Sequence, residues 1–508
     1  MAVMLIRTFH RLTCGAAAVL ALWSSAPALA ATPAERATLS PAAVDRYLDA
    51  YLAETGLPGA VVAVTRGDEV VHVAGYGRTA GGAEITARTP VPVASLSKSM
   101  TAMAVLRLVE AGEVELDEPV RRYLPEFTMA DPRAGEITVR QLLNQTSGMA
   151  DSAYPDLTRP QPDTLEEAVA AMRGARLAAD PGTAWSYHNP HYFVLARLVE
   201  VVSGRSFAGY LADEVFGPLG MADTTSVDTT DAMPERARGY VRAYGMVFER
   251  AHPRWFTAGS FGVVSTGEDL ARWLIAQRDG GGVVSPAGVV LAHTPPEGEH
   301  YAMGWRTSLP GEEPGRIEHT GQLLTQNAMQ TLLPDSGVGI AVVANTGMIA
   351  GDDAQLIADG LVRLAQGETP TVQRPFSMTA DPVLAVLTLL AIGLAVLGVV
   401  RSRRWARRAA GRAWWRTTLR LLPYALPIVL FVELTDLMGL ALHRQGTLSQ
   451  LGYAWPALLI WVVGTAVAVA AVLAARGVAL IRVGRTSQPA PWSASSSIGS
   501  EACSSRSQ

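Results

Sequence analysis

Among the 508 residues of this chain there is one lysine, Lys98, and it stands three places after Ser95 in the run Ser95-Leu96-Ser97-Lys98. The rest of the 42 Lys and Arg side chains are arginines. A guanidinium keeps its proton in a protein, whereas an amine can be tuned by its surroundings to accept one. A hydroxyl within reach of such an amine pairs a candidate nucleophile with a candidate base, as acyl transfer requires. The run opens an apolar-periodic stretch (Ala102, Val105, Leu106, Val109) that stops at Gly112. This predicts a helix with one buried face. Positions 95 and 98 then lie on the same face, about 5–6 Å apart at Cβ. At the helix start, free backbone N–H groups and the positive dipole end favour a developing anion on or near Ser95.

Two later runs carry polar groups that could complete such a site. Tyr187-His188-Asn189 follows the loop opened by Pro181-Gly182-Thr183 and precedes a helical pattern through Phe193, Leu195, Leu198 and Val202. His319-Thr320-Gly321 continues a strand-like stretch beginning at Arg316. The three runs occur in the order found in the serine β-lactamase and penicillin-binding-protein superfamily, which this sequence resembles. The Tyr-x-Asn form is similar to the class C branch, with its D-Ala-D-Ala carboxypeptidases, D-aminopeptidases, esterases and β-lactamases. Further passages match that branch: Ile137 to Leu143, Thr146-Ser147-Gly148, and Ser260-Phe261-Gly262-Val263-Val264-Ser265-Thr266 leading into Glu268-Asp269-Leu270-Ala271. The resemblance spans residues 40–366.

The resemblance implies roles for these positions. Ser95 is the expected nucleophile and forms an acyl-enzyme. Lys98 is one candidate base, if burial and nearby positive groups lower its pKa. Tyr187 is the other, as a phenolate or as a proton relay to the leaving group; the choice stays open. Asn189 is expected to hydrogen-bond the substrate amide and Lys98. Thr320 and Gly321 are expected to line the substrate strand, Gly321 because a missing side chain leaves room along the edge. The backbone N–H groups of Ser95 and Gln322 form the implied oxyanion hole, where one donor is typically worth roughly 10²–10³ in rate. His319 departs from the pattern, since many relatives carry lysine there as a cation for a substrate carboxylate. A histidine with a pKa of ~6.5 is mostly neutral at pH 7. This argues against a free terminal carboxylate, and so against β-lactamase activity, and for a peptidase or esterase. His188 reads as a wall residue. No metal-ligand spacing and no phosphate-cradling loop is evident, so neither metal nor cofactor is expected.

The elements that position these groups read as an α+β fold. Apolar spacing over Leu39 to Glu54 predicts a first helix. Ala60–Val64 and Val70–Ala74 around Arg66-Gly67-Asp68-Glu69 predict a hairpin. Residues 113–280 read mainly as helices and loops. Strand character returns at Tyr301–Thr307, Arg316–Thr320, Ala328–Leu333 and Val338–Ala344, and a closing helix is expected over 352–365. Strands from both ends with a helical middle imply an antiparallel sheet covered by helices, plus a helical subdomain.

Charge divides the chain. Residues 31–380 hold 42 acidic and 27 basic side chains, while residues 381–508 hold 4 and 13. The acidic part has no basic tract interleaved with aromatics, which argues against a nucleic-acid partner. Residues 1–30 have Arg7 and Arg11, an apolar core, and Ala28-Leu29-Ala30, the layout of a signal peptide; 31–38 read as a leader. Cys14 lies in that signal and Cys503 in the far tail, so the hydrolase segment, 39–366, has no thiol chemistry. A proline-punctuated linker is expected over 367–382. Apolar spans are expected at 383–400, 421–442 and 453–475, each near the ~20 residues that cross a bilayer. Residues 401–420 contain eight arginines, whereas the second connection, 443–452, carries only Arg444. The positive-inside rule places 401–420 and the tail, 476–508, in the cytoplasm and the hydrolase segment outside. Glu433 and Asp436 stand out as acids inside the second span. The serine-rich tail is expected to be disordered.

The expected function is therefore a membrane-anchored extracytoplasmic serine hydrolase acting on D-amino-acid peptides or similarly shaped amides and esters. The alternatives are a wall-peptide or β-lactam receptor that signals through its membrane helices, and a true β-lactamase. Oligomeric state is left open.

Overall fold

The computed structural model describes residues 39–309, 311–347, 353–442 and 444–486. The expected signal peptide and leader, and the tail beyond Thr486, lie outside these residues.

The central sheet has seven antiparallel strands in the order Glu69–Gly77, Gly59–Arg66, Val338–Ala344, Asn327–Leu333, Ile317–Gln322, Trp305–Thr307, Tyr301–Ala302. The first hairpin and the C-terminal strands meet where Ala60–Arg66 pairs with Val338–Ala344, so both ends of the hydrolase segment share one sheet. Val338–Ala344 is buried along its whole length, as a central strand covered on both faces should be. One face carries the terminal helices Pro41–Thr55 and Asp353–Ala365. The other packs on the helix Gly267–Ala276 and the core that includes Ser97–Glu110. Gln330 ties that second face together. Its amide nitrogen donates to Ser99 Oγ at 3.1 Å, and its oxygen accepts from Trp273 Nε1 at 3.1 Å. The architecture is thus α+β, with a helix-covered antiparallel sheet and a helical lobe.

The middle of the chain differs from its reading as helices and loops. Gly239–Ala243 and Met246–Arg250 form a hairpin, and Gly239–Ala243 also pairs in parallel with Thr346–Gly347. Val263–Ser265 is the centre of another small sheet with Val91–Pro92 and Thr225–Ser226. These pairings join distant segments, which periodicity within a short window does not report. Arg242 in the hairpin at 239–250 is fully buried and ion-paired at 3.2 Å with Asp353, at the head of the closing helix. The expected strand Tyr301–Thr307 is itself a small hairpin.

Two C-terminal helices are long and apolar enough to cross a membrane, Phe376–Val400 and Pro456–Val483, and they pack on each other. A third span is present if Trp414–Val432 and Leu434–Leu440 count together. They meet at a 62° bend, with Glu433 at the break. The first helix starts at Phe376, inside the stretch read as linker. The last continues to Thr486, past the expected end of its span. Arg476 gives that extension partners, stacking on Trp405 at 4.8 Å and on Tyr424 at 4.6 Å.

Candidate active site

Ser95 lies in the 3-10 turn Ala94–Leu96, immediately before the α-helix Ser97–Glu110. The turn is forced. Ala94 holds a left-handed φ of 51°, a conformation that costs of order 1–3 kcal/mol outside glycine. Ser97 pins it, donating from Oγ to Ala94 O at 2.6 Å and accepting from Val263 N–H at 2.9 Å. The result presents Ser95, one-tenth exposed, to the site, while Lys98 is wholly buried beneath it.

Lys98 Nζ donates to Ser95 Oγ at 3.2 Å, to Asn189 Oδ1 at 3.0 Å and to the Ser260 carbonyl at 3.1 Å. It also lies 4.8 Å from the Tyr187 ring centre. Burial holds its pKa well below the ordinary lysine value. Arg444 adds to the depression and Asp156 opposes it. Burial raises the pKa of the Tyr187 hydroxyl; Ser95, Arg444 and Arg306 only moderate that rise. The two candidate bases are thereby pushed in opposite directions, the amine towards neutrality and the phenol towards keeping its proton.

The Tyr187-His188-Asn189 loop is held by the segment at Thr146-Ser147-Gly148. Gln145, itself at φ 62°, accepts the His188 N–H on Oε1 at 2.6 Å and the Ser186 N–H on its carbonyl at 2.9 Å. His191 Nδ1 also meets Gln145 Oε1 at 2.6 Å, and its Nε2 meets Ser147 Oγ at 2.7 Å. Asn189 accepts from Ser260 Oγ at 3.0 Å and donates to Asp156 Oδ2 at 2.9 Å. His188 faces away from Ser95 and donates from Nε2 to the Tyr154 carbonyl at 2.8 Å; burial pulls its pKa to about 4. It is not among the residues that line the cavity at Ser95, where the sequence reading expected a wall residue.

His319, Thr320 and Gln322 line the cavity with Ser95. Trp305–Thr307 pairs with Ile317 and Glu318 and goes no further, so the strand edge from His319 onward faces the site. Gly321 is required for a different reason from the one expected. A Cβ there would come 2.6 Å from the Val93 carbonyl, so the missing side chain lets the strand close on the Ser95 turn. His319 Nδ1 lies 2.6 Å from the Thr320 carbonyl and must carry the proton, leaving Nε2 to accept from Tyr301 Oη at 3.5 Å. Burial, then Lys98 and Arg306, bring its pKa to about 3. His319 is a neutral ring.

Two cations that sequence reasoning missed line the same cavity, of about 140 Å³: Arg306 and Arg444. The argument from His319 against a carboxylate-bearing substrate loses its force, because positive charge enters from elsewhere. Arg444 belongs to the short connection before the last long helix. Its guanidinium is 3.5 Å from Asp156 Oδ1 and 4.0 Å from Asp151 Oδ1. The Gln445 N–H donates to Asp151 Oδ2 at 2.5 Å, Gln450 Nε2 to the Leu157 carbonyl at 2.9 Å, and Tyr453 Oη to the Ala251 carbonyl at 2.8 Å. A single arginine in an otherwise uncharged connection was the visible signal, but nothing in sequence ties it to Ser95.

Asp151, Asp156 and His188 each bring a ligand atom within 4.8 Å of the others, a grouping that could hold a cation. The sequence reading found no metal site, because the three are spread over 38 positions. Arg444 already stands against both carboxylates there, so this chain supplies the positive charge itself.

The family model described as Beta-lactamase matches residues 44–362. The chain belongs to the beta-lactamase family. Among curated relatives, this beta-lactamase-family chain is 28% identical to Protein flp of Staphylococcus aureus (strain MW2) over 314 residues. That match covers 59% of this chain and 62% of the relative. It is 30% identical over 360 residues to Penicillin-binding protein 4 of Amycolatopsis lactamdurans, covering 66% of this chain and 92% of that one. Among solved structures, the octameric penicillin-binding protein homologue from Pyrococcus abyssi aligns with a TM-score of 0.55 at 24% identity, covering 64% of this chain and 77% of that one. The penicillin binding protein from Bacillus halodurans aligns at 0.54 and 22%, covering 62% and 98%. These likenesses establish the serine-hydrolase superfamily fold of the beta-lactamase and penicillin-binding proteins.

Proposed function

We propose that the chain is a membrane-anchored serine hydrolase that works through an acyl-enzyme on Ser95, with its catalytic domain outside the cytoplasmic membrane. The observation that carries the reading is the buried amine of Lys98, 3.2 Å from Ser95 Oγ, with its pKa driven down. A neutral amine there takes the Ser95 proton as Oγ bonds to the substrate carbonyl carbon. The oxyanion is received by the N–H groups of Ser95 and Gln322. As the carbonyl–leaving group bond breaks, the proton passes from Lys98 through the Tyr187 hydroxyl to the departing nitrogen or oxygen. Water then repeats the sequence in reverse on the acyl-enzyme. Lys98 is the base in this reading, because Tyr187 would have to ionise against its own raised pKa.

The substrates proposed are D-amino-acid peptides, or amides and esters of that shape, as in the class C-like branch. Arg306, on the cavity wall, lends it a place for a carboxylate. Intact-mass analysis after exposure to a penicillin, a D-Ala-D-Ala peptide and a short acyl ester tests the reading. An adduct on the native chain, absent in Ser95→Ala, is expected; an adduct undiminished in Ser95→Ala refutes it. A second reading, a receptor that acylates and stops, is favoured by one observation: Arg444, from the membrane segment, reaches the site. Release limited to one equivalent per chain would select it over sustained turnover.

A further inference from the structure

The cavity at Ser95 is small, about 140 Å³, but it shares Leu157, Trp255, Gln322 and Arg444 with a second cavity of about 300 Å³. The second cavity is roofed by the hydrolase domain at Leu157, Trp255 and Leu324. Its floor is membrane segment: Met438 from the bent second span, and Leu451 and Ala454 from the short helix after Arg444. Several polar groups along it are already engaged. Gln450 donates from its amide nitrogen to Leu157 O and accepts the Thr447 N–H on its oxygen, and Thr447 Oγ1 accepts from the Gln450 N–H. The Arg444 guanidinium is turned to Asp156 and Asp151. Most of the remaining wall is apolar side chain, with Thr435 and Gln445 also on it.

The position of this space decides what fills it. It meets the reacting centre at Gln322, the implied oxyanion donor, and includes neither Ser95, Tyr187 nor His319. A leaving group takes its proton through Tyr187 and departs on that side. The portion that stays bonded to Ser95 extends the other way, past Gln322 and Trp255. We infer that the second cavity holds the acyl chain of the substrate, and that the hydrolase acts on amphiphilic esters or amides of medium-chain fatty acids. The inference rests on the proposed Ser95 chemistry. A methylene takes about the room of a water molecule, roughly 30 Å³, so the cavity accepts roughly ten carbons.

The test uses the full chain in lipid nanodiscs with p-nitrophenyl esters from acetate to myristate. The expected kcat/KM rises about fourfold per methylene, the transfer preference of one buried CH2, and levels off at roughly ten carbons. Met438→Trp and Ala454→Leu should each lower the decanoate-to-acetate ratio of kcat/KM at least tenfold, by filling the space. A flat profile, or a ratio unmoved in both variants, overturns the inference. So does a rise that follows the alcohol chain of alkyl acetates instead of the acyl chain. Labelling by a small fluorophosphonate separates the two failures. Chains labelled at Ser95 with a flat profile lose only the cavity assignment, whereas unlabelled chains lose the hydrolase reading and this inference with it.

Discussion

Asp156→Asn should move the acid limb of the kcat/KM profile to lower pH, and Arg444→Gln should move it to higher pH. The structure sets sign and size. Asp156 Oδ2 accepts from Asn189 Nδ2 at 2.9 Å, and Asn189 Oδ1 accepts from Lys98 Nζ at 3.0 Å. Two hydrogen bonds and one amide width place the carboxylate at most about 8 Å from the ammonium. At an effective dielectric constant of about 20, unit charges that far apart interact by about 2 kcal/mol. That corresponds to about 1.5 pH units. Asparagine keeps an oxygen for the Asn189 bond but loses the charge, so protonated Lys98 is less stabilised and its already low pKa falls further. The base then survives to lower pH. Removing the Arg444 guanidinium has the reverse effect, because that cation opposes protonation of Lys98. Arg444 acts on Lys98 more strongly than Asp156 does, so the upward shift should be the larger of the two. The assay is kcat/KM for a short chromogenic ester across the acid to alkaline range, on the full chain. An acid limb that stays put in Asp156→Asn, or that moves the same way in both variants, refutes the assignment of Lys98 as base.

Lys98→Arg should lower kcat/KM nearly as far as Lys98→Ala, by about 10²–10⁴ as for loss of a general base, since a guanidinium keeps charge but cannot accept the proton; stopped-flow acylation rates read this directly. The alkaline limb should lie above the ordinary tyrosine range, because loss of the Tyr187 proton is resisted by burial, and a limb that disappears in Tyr187→Phe identifies it. Gly321→Ala places a Cβ 2.6 Å from Val93 O and 3.0 Å from Leu96 Cδ1; a destabilisation of about 1–3 kcal/mol in urea unfolding is expected, with slowed acylation as the strand backs away from the Ser95 turn. Asp381 is fully buried and accepts from the Tyr244 N–H at 2.7 Å and Trp455 Nε1 at 2.8 Å. Asp381→Ala leaves both donors unmatched at about 1–3 kcal/mol each, and faster hydrogen exchange over residues 444–455 is the expected readout.

The core of the site was legible because its residues are chemically uncommon and locally spaced. A lone lysine three places from a serine is visible without a structure, and so is a Tyr-x-Asn run before a strong helix. The first hairpin, the strands Asn327–Leu333 and Val338–Ala344, and the closing helix were also legible, since two-residue and helical periodicities are written along the chain itself. The reading failed where the decisive partner is remote. Strands at 239–250 depend on pairing with Thr346 and on Arg242 meeting Asp353, more than a hundred positions away. Gly321 looked like room for substrate until Val93 appeared against it. His319 looked like the loss of the site's cation until Arg306 and Arg444 arrived from other elements.

The sequence by itself determined the Ser95–Lys98 pair proposed as nucleophile and base, and the order of the elements that carry it. These follow from side-chain chemistry and from spacing within single helices and strands. Tertiary structure alone decided the electrostatics of the site and its reach. Which charges surround Lys98, and that a connection between membrane helices closes over Ser95, depend on distances between segments nearly 350 residues apart. Charge and burial act through space, and only the folded chain sets those separations.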